Sequence, residues 1–254
     1  NDVSQLQYMI AKVKSYGYRN IGFILDRGYF SKENLNFMDQ NGFSFVIMVK
    51  GLKDLVRDLV LKNKGTFESE WGSQVPEFGV YGKTIHTFIY SSDTKKRYVH
   101  LYYNAGKAAG ERYDFETKLL EMQKYLEQYR DTDREFGPAF HKYFHMHYNK
   151  ENHHFVYAEP NLPAIRDALN LCGYFVIITS EKMDHKDAIT LYKSRDSSEK
   201  LFRADKSYLG NSSLRVASDE AAANKIFIGF IALIIRCRMY TKLRDKARSM
   251  VKKP

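Results

Sequence analysis

The chain of 254 residues is long enough to bury a large core, and its hydrophobic fraction of 44% and aromatic fraction of 15% exclude a disordered protein. Its formal net charge of +10 favours a polyanionic partner, because each phosphate that a cation neutralises releases condensed counterions. Its two cysteines lack C-x-x-C spacing, so neither a disulfide framework nor a thiolate zinc site is indicated, and a reduced cytoplasmic setting is expected.

The first 49 residues predict an α/β unit. Apolar residues at helical spacing predict a helix over residues 4–14, and the continuous apolar run of residues 21–25 predicts a strand that is covered on both faces. Ser31 is expected to cap a helix that ends near residues 41–42, and residues 43–49 predict a second buried strand. Asp26 follows the first strand directly, and open sheets place ligand sites at the carboxyl ends of their strands.

The pattern changes between residues 50 and 172. Alternating apolar and polar residues at 84–90 and 97–104 predict an antiparallel hairpin or a small sheet, and residues 112–129 predict a charged helix. Several histidines lie in this region, but H-K-Y-F-H lacks the Glu of H-E-x-x-H, so a zinc site is not expected. We interpret residues 50–172 as a mixed, partly β insertion.

The last third of the chain predicts a strand and two helices. Residues 174–179 form an apolar run typical of a buried strand, and a charged helical stretch follows at residues 184–206. A long helix is predicted over residues 218–242, most simply buried against the sheet. Its apolar run is about half as long as a bilayer span requires, so no membrane partner is expected.

The most informative pattern is the spacing Y-(2)-R-(3)-E-(6)-K formed by Tyr192, Arg195, Glu199 and Lys206. At about 100° per residue, these offsets fall within an arc of about 60° on one helix face. That face presents a carboxylate flanked by a phenol and two cations. It suits a metal held beside a DNA phosphate, because carboxylates bind cations while Arg and Lys bind phosphate oxygens.

This spacing, together with I-G-F-I-L-D-R-G-Y-F-S at residues 21–31, resembles the DDE transposases of the insertion-sequence 4 group. The resemblance implies a ribonuclease-H-like mixed sheet with flanking helices, interrupted by a mixed, partly β insertion subdomain. Residues 1–49 would be the first part of the catalytic core, with its opening strands and first Asp missing. Residues 50–172 would be the insertion subdomain, and residues 173–254 the remainder of the core with the signature helix and the C-terminal helix.

The resemblance also implies a function: a DNA transposase that cleaves and joins phosphodiester bonds at insertion-element ends by a two-metal mechanism. Asp26 and Glu199 would be the catalytic metal ligands, for two Mg²⁺ or Mn²⁺ ions. The residues implied to bind DNA are Tyr192, Arg195, Lys206, Arg27 and Arg203. The implied partners are the double-stranded DNA of the transposon ends and target, with a homodimer in the DNA complex, in the bacterial cytoplasm at the nucleoid.

Plainer interpretations stay open for these residues. Asp26 before Arg27-Gly28 has the pattern of a turn former, and Arg195 with Glu199 has the spacing of an i,i+4 ion pair on a helix surface. Two other functions also stay open: a noncatalytic DNA-binding or assembly module, and a structure-specific nuclease of the same fold.

The first catalytic Asp of the resembled family has no good counterpart before Asp26. Only Asp2 precedes it among the carboxylates, and Asp2 comes just before a predicted helix rather than at the end of a strand. The chain also starts without Met. We therefore expect a C-terminal catalytic fragment that is inactive alone.

Overall fold

The computed structural model describes residues 2–18, 21–51, 54–196 and 216–251. Its helices are α1 (Asp2–Ser15), α2 (Lys32–Gln40), α3 (Asp54–Asn63), α4 (Ala105–Gln128), α5 (Pro138–Tyr143), α6 (Leu162–Asn170), α7 (His185–Ser194) and α8 (Asp219–Val251). Its strands are β1 (Gly22–Leu25), β2 (Ser44–Met48), β3 (Gln74–Val75), β4 (Val80–Thr87), β5 (Arg97–Tyr103), β6 (Phe144–Tyr148), β7 (Phe155–Pro160) and β8 (Tyr174–Thr179).

The central sheet has six strands in the order β1-β2-β8-β5-β4-β3. β1 and β2 are parallel, with Leu25 opposite Ile47, as two strands joined by a helix in the predicted α/β unit require, and the other pairs in this sheet are antiparallel. The predicted mixed α/β architecture with flanking helices is confirmed and is compatible with a ribonuclease-H-like fold.

One edge of this sheet collects residues from four strands. Asp26 follows β1, Val49 follows β2 and donates its N–H to the Val176 carbonyl at 2.9 Å, and Tyr174 of β8 lies opposite Tyr103 of β5. We call this the Asp26 edge, defined by Asp26, Val49, Tyr103 and Tyr174. The direction of each strand places these residues at the same end of the sheet.

Helices cover both faces of the sheet, as the continuous apolar strands predicted. On one face, Phe45, Ile47 and Val176 form a core with α1, α2 and α3. On the opposite face, Val46 and Ile177 pack against α7. Side chains of successive strand residues point to opposite faces, so β2 and β8 contribute to both cores.

The hairpin β4–β5 confirms the antiparallel pair predicted from alternation, and it joins the central sheet through β8. Between β5 and β8, the second half of α4, α5 and the hairpin β6–β7 enclose a separate hydrophobic cluster around Phe136, Phe144 and Phe155. The division into residues 1–49, 50–172 and 173–254 stays a prediction.

The chain divides into two compact units, Asn1–Tyr192 and Lys193–Pro254. In the second unit, α8 extends beyond the predicted range of residues 218–242. Ile226, Phe227 and Ile228 are each more than half exposed, so they are not covered within this unit, and the packing of the helix against the sheet stays a prediction. The run is apolar all round rather than on one face, so packing against a single neighbour would leave part of it uncovered.

In the parts of the chain that the structure describes, no helix combines the length and apolarity needed to span a lipid bilayer.

Candidate active site

Asp26 is held by the turn that follows β1. Its Oδ1 accepts a hydrogen bond from the Arg27 N–H at 2.7 Å, and its carbonyl accepts one from the Tyr29 N–H at 3.0 Å. The carboxylate therefore caps the short 3-10 turn Arg27–Tyr29, as a turn-forming Asp does. The side chain is half-buried, and Arg27 beside it is exposed.

The same turn is fixed to α2. Ser31 caps α2 by accepting a hydrogen bond from the Asn34 N–H at 3.1 Å, which confirms the predicted cap. Asn34 is fully buried and donates its side-chain amide to the Tyr29 carbonyl at 2.9 Å. The D-R-G-Y-F-S sequence thus builds one rigid connection between β1 and α2.

Helix α7 brings the first residue of the distant motif to this turn. The Tyr192 ring is 3% exposed and packs in the core formed with Val46, Ile177 and Ile189. Its hydroxyl lies 3.5 Å from Asp26 Oδ1, at the long end of the hydrogen-bond range. The fold therefore brings together two motifs that are 166 residues apart in the chain.

Three residues that sequence reasoning missed seat α7 on the sheet: Gly82, Tyr102 and His185. Tyr102 is fully buried and donates its hydroxyl to the His185 carbonyl at 2.6 Å. A Cβ at Gly82 would lie 2.9 Å from His185 Cδ2, so this strand position has no room for a side chain. An isolated glycine inside a strand pattern is the sequence signal for such a close approach.

A buried polar ladder crosses three strands on the same face. His100 is fully buried, with Nδ1 2.9 Å from Thr84 Oγ1 and Nε2 3.0 Å from Thr179 Oγ1. Thr179 donates its hydroxyl to the Glu181 carbonyl, so it accepts from His100 Nε2–H, and Thr84 donates to Nδ1. Burial, with the nearby His185 charge, lowers the pKa of His100 to about 4, so the imidazole is neutral near pH 7.

Comparison with known families adds an independent observation. A family model described as the transposase DDE domain matches residues 1–235. The chain belongs to this family. No curated protein matches the chain, and no solved structure matches it.

Membership of the transposase DDE domain family implies that the chain is a polynucleotidyl transferase that acts in DNA transposition and binds DNA. Enzymes of this family typically use divalent metal ions. The group-level resemblance and the individual site residues rest on the sequence motifs alone.

The structure describes only some of the predicted site residues of this transposase domain. Glu199, Arg203 and Lys206 lie outside the described residues. Arg195 is half-buried in a turn, because α7 ends at Ser194. The continuous helix predicted over the motif is therefore interrupted there.

Asp26 has the chemistry that a divalent cation requires. Mg²⁺ and Mn²⁺ prefer carboxylate oxygens, and this carboxylate is half-buried at the end of a strand, within reach of solvent. Within the described ranges, no three His, Cys, Asp or Glu residues group closely enough to hold a metal ion. The assignment of Asp26 and Glu199 as a pair of ligands stays a prediction.

Proposed function

We propose that this chain is the C-terminal catalytic part of a transposase of the insertion-sequence 4 group, which cleaves and joins DNA at the ends of its element. The observation that carries the proposal is the approach of Tyr192 to Asp26, because it joins the two matched motifs in space. In the sequence, Glu199 follows Tyr192 by only seven positions.

In this proposal, Asp26 and Glu199 hold two Mg²⁺ or Mn²⁺ ions. The bound ions would make the attacking hydroxyl more acidic and stabilise the leaving oxygen. Asp26 is suited to this role because the turn after β1 fixes its carboxylate. Tyr192, on the distant helix α7, orients the same carboxylate: its ring is fixed in the core, and its hydroxyl lies beside Asp26 Oδ1.

The cations near these carboxylates are proposed to hold DNA. Arg27 is exposed directly beside Asp26, where its guanidinium can pair with a phosphate. Arg195, Arg203 and Lys206 are proposed to bind further phosphates of the element end, and the DNA contact expected of Tyr192 stays a prediction. The active assembly is proposed to be a homodimer on paired DNA ends at the nucleoid. The first catalytic Asp of the resembled family, which would be the third metal-binding carboxylate, is proposed to be a residue other than Asp26 and Glu199.

Two substitutions test the catalytic assignment in a transposase that contains this chain. Asp26→Asn and Glu199→Gln are each expected to lower DNA cleavage and strand joining in Mg²⁺ by at least about a hundredfold, because each removes a metal-binding charge. The matched controls are Asp58→Asn and Glu77→Gln, which change exposed carboxylates. Rates would be measured on labelled element-end DNA.

The same assay separates the alternatives. A structure-specific nuclease would cleave the DNA without joining strands, and a noncatalytic module would bind the DNA without cleaving it. Full strand joining by both the Asp26→Asn and Glu199→Gln variants would overturn the assignment of these residues.

A further inference from the structure

A cavity of about 620 Å³ lies at the Asp26 edge of the sheet, apart from the candidate active site. Its walls come from the segment after α3, the end of β5, the first turns of α4, the end of α6 and the start of β8. The side chains that matter for the argument are Lys64, Glu68, Tyr103, Arg112, Cys172 and Tyr174. The volume falls in the range of small-molecule binding sites.

The cavity lies at the same end of the sheet as the candidate active site but on the face covered by α1, α2 and α3, whereas Tyr192 meets Asp26 from α7 on the opposite face. Tyr174 begins β8, which is two strands away from β1. Asp26 is level with Met48 of β2, Met48 pairs with Ile177 of β8, and Tyr174 lies three residues beyond Ile177 along β8. With strands about 4.8 Å apart and a rise of about 3.4 Å per residue, Tyr174 lies roughly 15 Å from Asp26. One DNA strand of a few nucleotides can span that distance.

The walls are held in place by their own hydrogen bonds. Lys64 donates its ammonium group to the Asn170 side chain at 2.7 Å, which ties the segment after α3 to α6. Glu68 accepts from the Gly65 N–H at 3.0 Å and also bonds the Tyr174 hydroxyl. The shape of the cavity is therefore set before any ligand binds.

The walls carry two cationic side chains, Lys64 and Arg112, and one carboxylate, Glu68. Burial raises the pKa of the Glu68 carboxyl, but its hydrogen bonds outweigh burial and lower that pKa, so Glu68 remains anionic and its oxygens already have donors within the protein. Lys64 retains one donor beyond its two bonds to Asn170, since an ammonium group has three. Arg112 is exposed, and among the described residues it forms no ion pair. A guanidinium in this state is available for bidentate contact with a phosphate.

One wall is aromatic. The Tyr103 ring is half-buried beside Tyr174, with the two ring centroids 4.9 Å apart. Bases of single-stranded nucleic acid stack on such rings without regard to sequence. The combination of a phosphate-binding guanidinium and an aromatic wall matches the two parts of a nucleotide.

We propose that this cavity binds one nucleotide of a DNA strand whose scissile phosphate lies at Asp26, with the phosphate on Arg112 and Lys64 and the base on Tyr103. This inference rests on the proposed function, because that function brings the DNA strand to the Asp26 edge. A free nucleotide has the same chemical groups, so the test must separate it from DNA.

Cys172 in the cavity wall provides a local probe. After Cys237→Ser, Cys172 is the one thiol left in the chain, so the rate of its alkylation by a thiol reagent reports on access to the cavity. EDTA is added to remove divalent metal ions, so that no DNA cleavage occurs during the assay. Oligothymidine is expected to slow this alkylation. Arg112→Gln should raise the concentration for half-protection by about tenfold, while Arg166→Gln, at an exposed position of α6 outside the cavity, should leave it unchanged.

The base contact has its own test. Tyr103→Leu should weaken protection by oligothymidine but not by an abasic oligomer of equal length, which keeps the phosphates and lacks the bases. Each variant's unprotected alkylation rate is measured first, because Arg112 influences the Cys172 thiol.

Three results would overturn the proposal. Oligothymidine fails to protect Cys172 from alkylation, it protects the Arg112→Gln and unsubstituted proteins equally well, or free thymidine monophosphate protects Cys172 while oligothymidine does not. The assay needs no metal and no catalysis. The cavity proposal can therefore fail while the Asp26 and Glu199 variants behave as the proposed function requires. Likewise, the cavity proposal can hold while those variants contradict the proposed function.

Discussion

Asp26 and Tyr192 show how a single carboxylate is positioned by residues from both ends of the first unit. The Arg27 N–H bonds Asp26 Oδ1 from within the local turn, and the Tyr192 hydroxyl approaches the same oxygen from α7. The local bond depends only on neighbouring residues, whereas the second contact requires the whole sheet between β1 and α7 to be assembled.

Replacing Tyr192 by Phe isolates the hydroxyl. The ring keeps its place in the core, so the free energy of unfolding should change by no more than about 1 kcal/mol. Strand joining by a transposase that contains this chain should fall severalfold, because the Asp26 carboxylate loses an orienting contact. Tyr113→Phe, at a position 71% exposed, is the control. Unchanged strand joining by Tyr192→Phe would show that the hydroxyl does not orient Asp26.

His100 predicts a dependence of stability on pH. Because its pKa is lowered from 6.5 to about 4 in the folded protein, the unfolded chain binds more protons between those values. The free energy of unfolding is therefore unaffected by the titration of His100 above pH 6.5 and decreases as the pH falls towards 4, by at most about 3 kcal/mol. His185, whose pKa burial also lowers, acts in the same direction, and Asp184 opposes both.

Urea unfolding at a series of pH values measures this effect. His100→Gln, which cannot titrate, should flatten the pH dependence between pH 6.5 and 4, whereas His153→Gln, at an exposed position, should not. An equally steep dependence in His100→Gln would contradict the assignment.

At the scale of elements, the packing of α7 on the sheet depends on the absence of a side chain at Gly82. A Cβ there would lie 2.9 Å and 3.0 Å from two atoms of His185, closer than normal packing permits. We therefore expect Gly82→Ala to displace the start of α7 and to lower the free energy of unfolding by about 1–3 kcal/mol. Gly72→Ala is the control, because a Cβ there meets nothing within 4 Å.

The cause of the Gly82→Ala effect can be checked by a second substitution. The shortest contact is with His185 Cδ2, which His185→Ala removes, so His185→Ala in the Gly82→Ala background should recover part of the lost stability. The contacts of the new Cβ with His185 Cβ and Tyr102 Cδ1, each at 3.0 Å, remain. Denaturant unfolding of the two single variants and the double variant gives the coupling energy. Strictly additive losses would mean that Gly82 acts through some other contact.

The elements differ in how far the sequence could predict them. The turn at Asp26 and the cap at Ser31 follow local rules of turn and helix chemistry, so the sequence was sufficient there. Alternation predicted the β4–β5 hairpin but not its partner β8, because the pattern of a strand does not specify its neighbour.

The seat of α7 and the interruption at Arg195 were not predictable in this way. The contact between Gly82 and His185 joins residues far apart in the chain, so the isolated glycine in the strand pattern signals a close approach but does not identify His185 as the partner. Helical spacing around Arg195 predicted a continuous helix, whereas α7 ends at Ser194 and Arg195 lies in a turn.

At the scale of the whole molecule, Asp26 of the first sequence motif and Tyr192 of the second meet at one end of the central sheet. β1 delivers Asp26 to that edge, and α7 returns across the opposite face of the sheet to bring Tyr192 beside it. Family membership supplies the reaction class, and the convergence supports the place where we propose that the reaction occurs. The remaining step is the joint binding of a metal by Asp26 and Glu199.

Anomalous X-ray diffraction from crystals soaked in Mn²⁺ tests that step directly, using a transposase that contains this chain bound to its element-end DNA. The account predicts a Mn²⁺ peak within about 2.5 Å of both the Asp26 and the Glu199 carboxylate oxygens. A Mn²⁺ ion bound without either carboxylate, or a structure in which the two carboxylates point to opposite sides of the molecule, would contradict it.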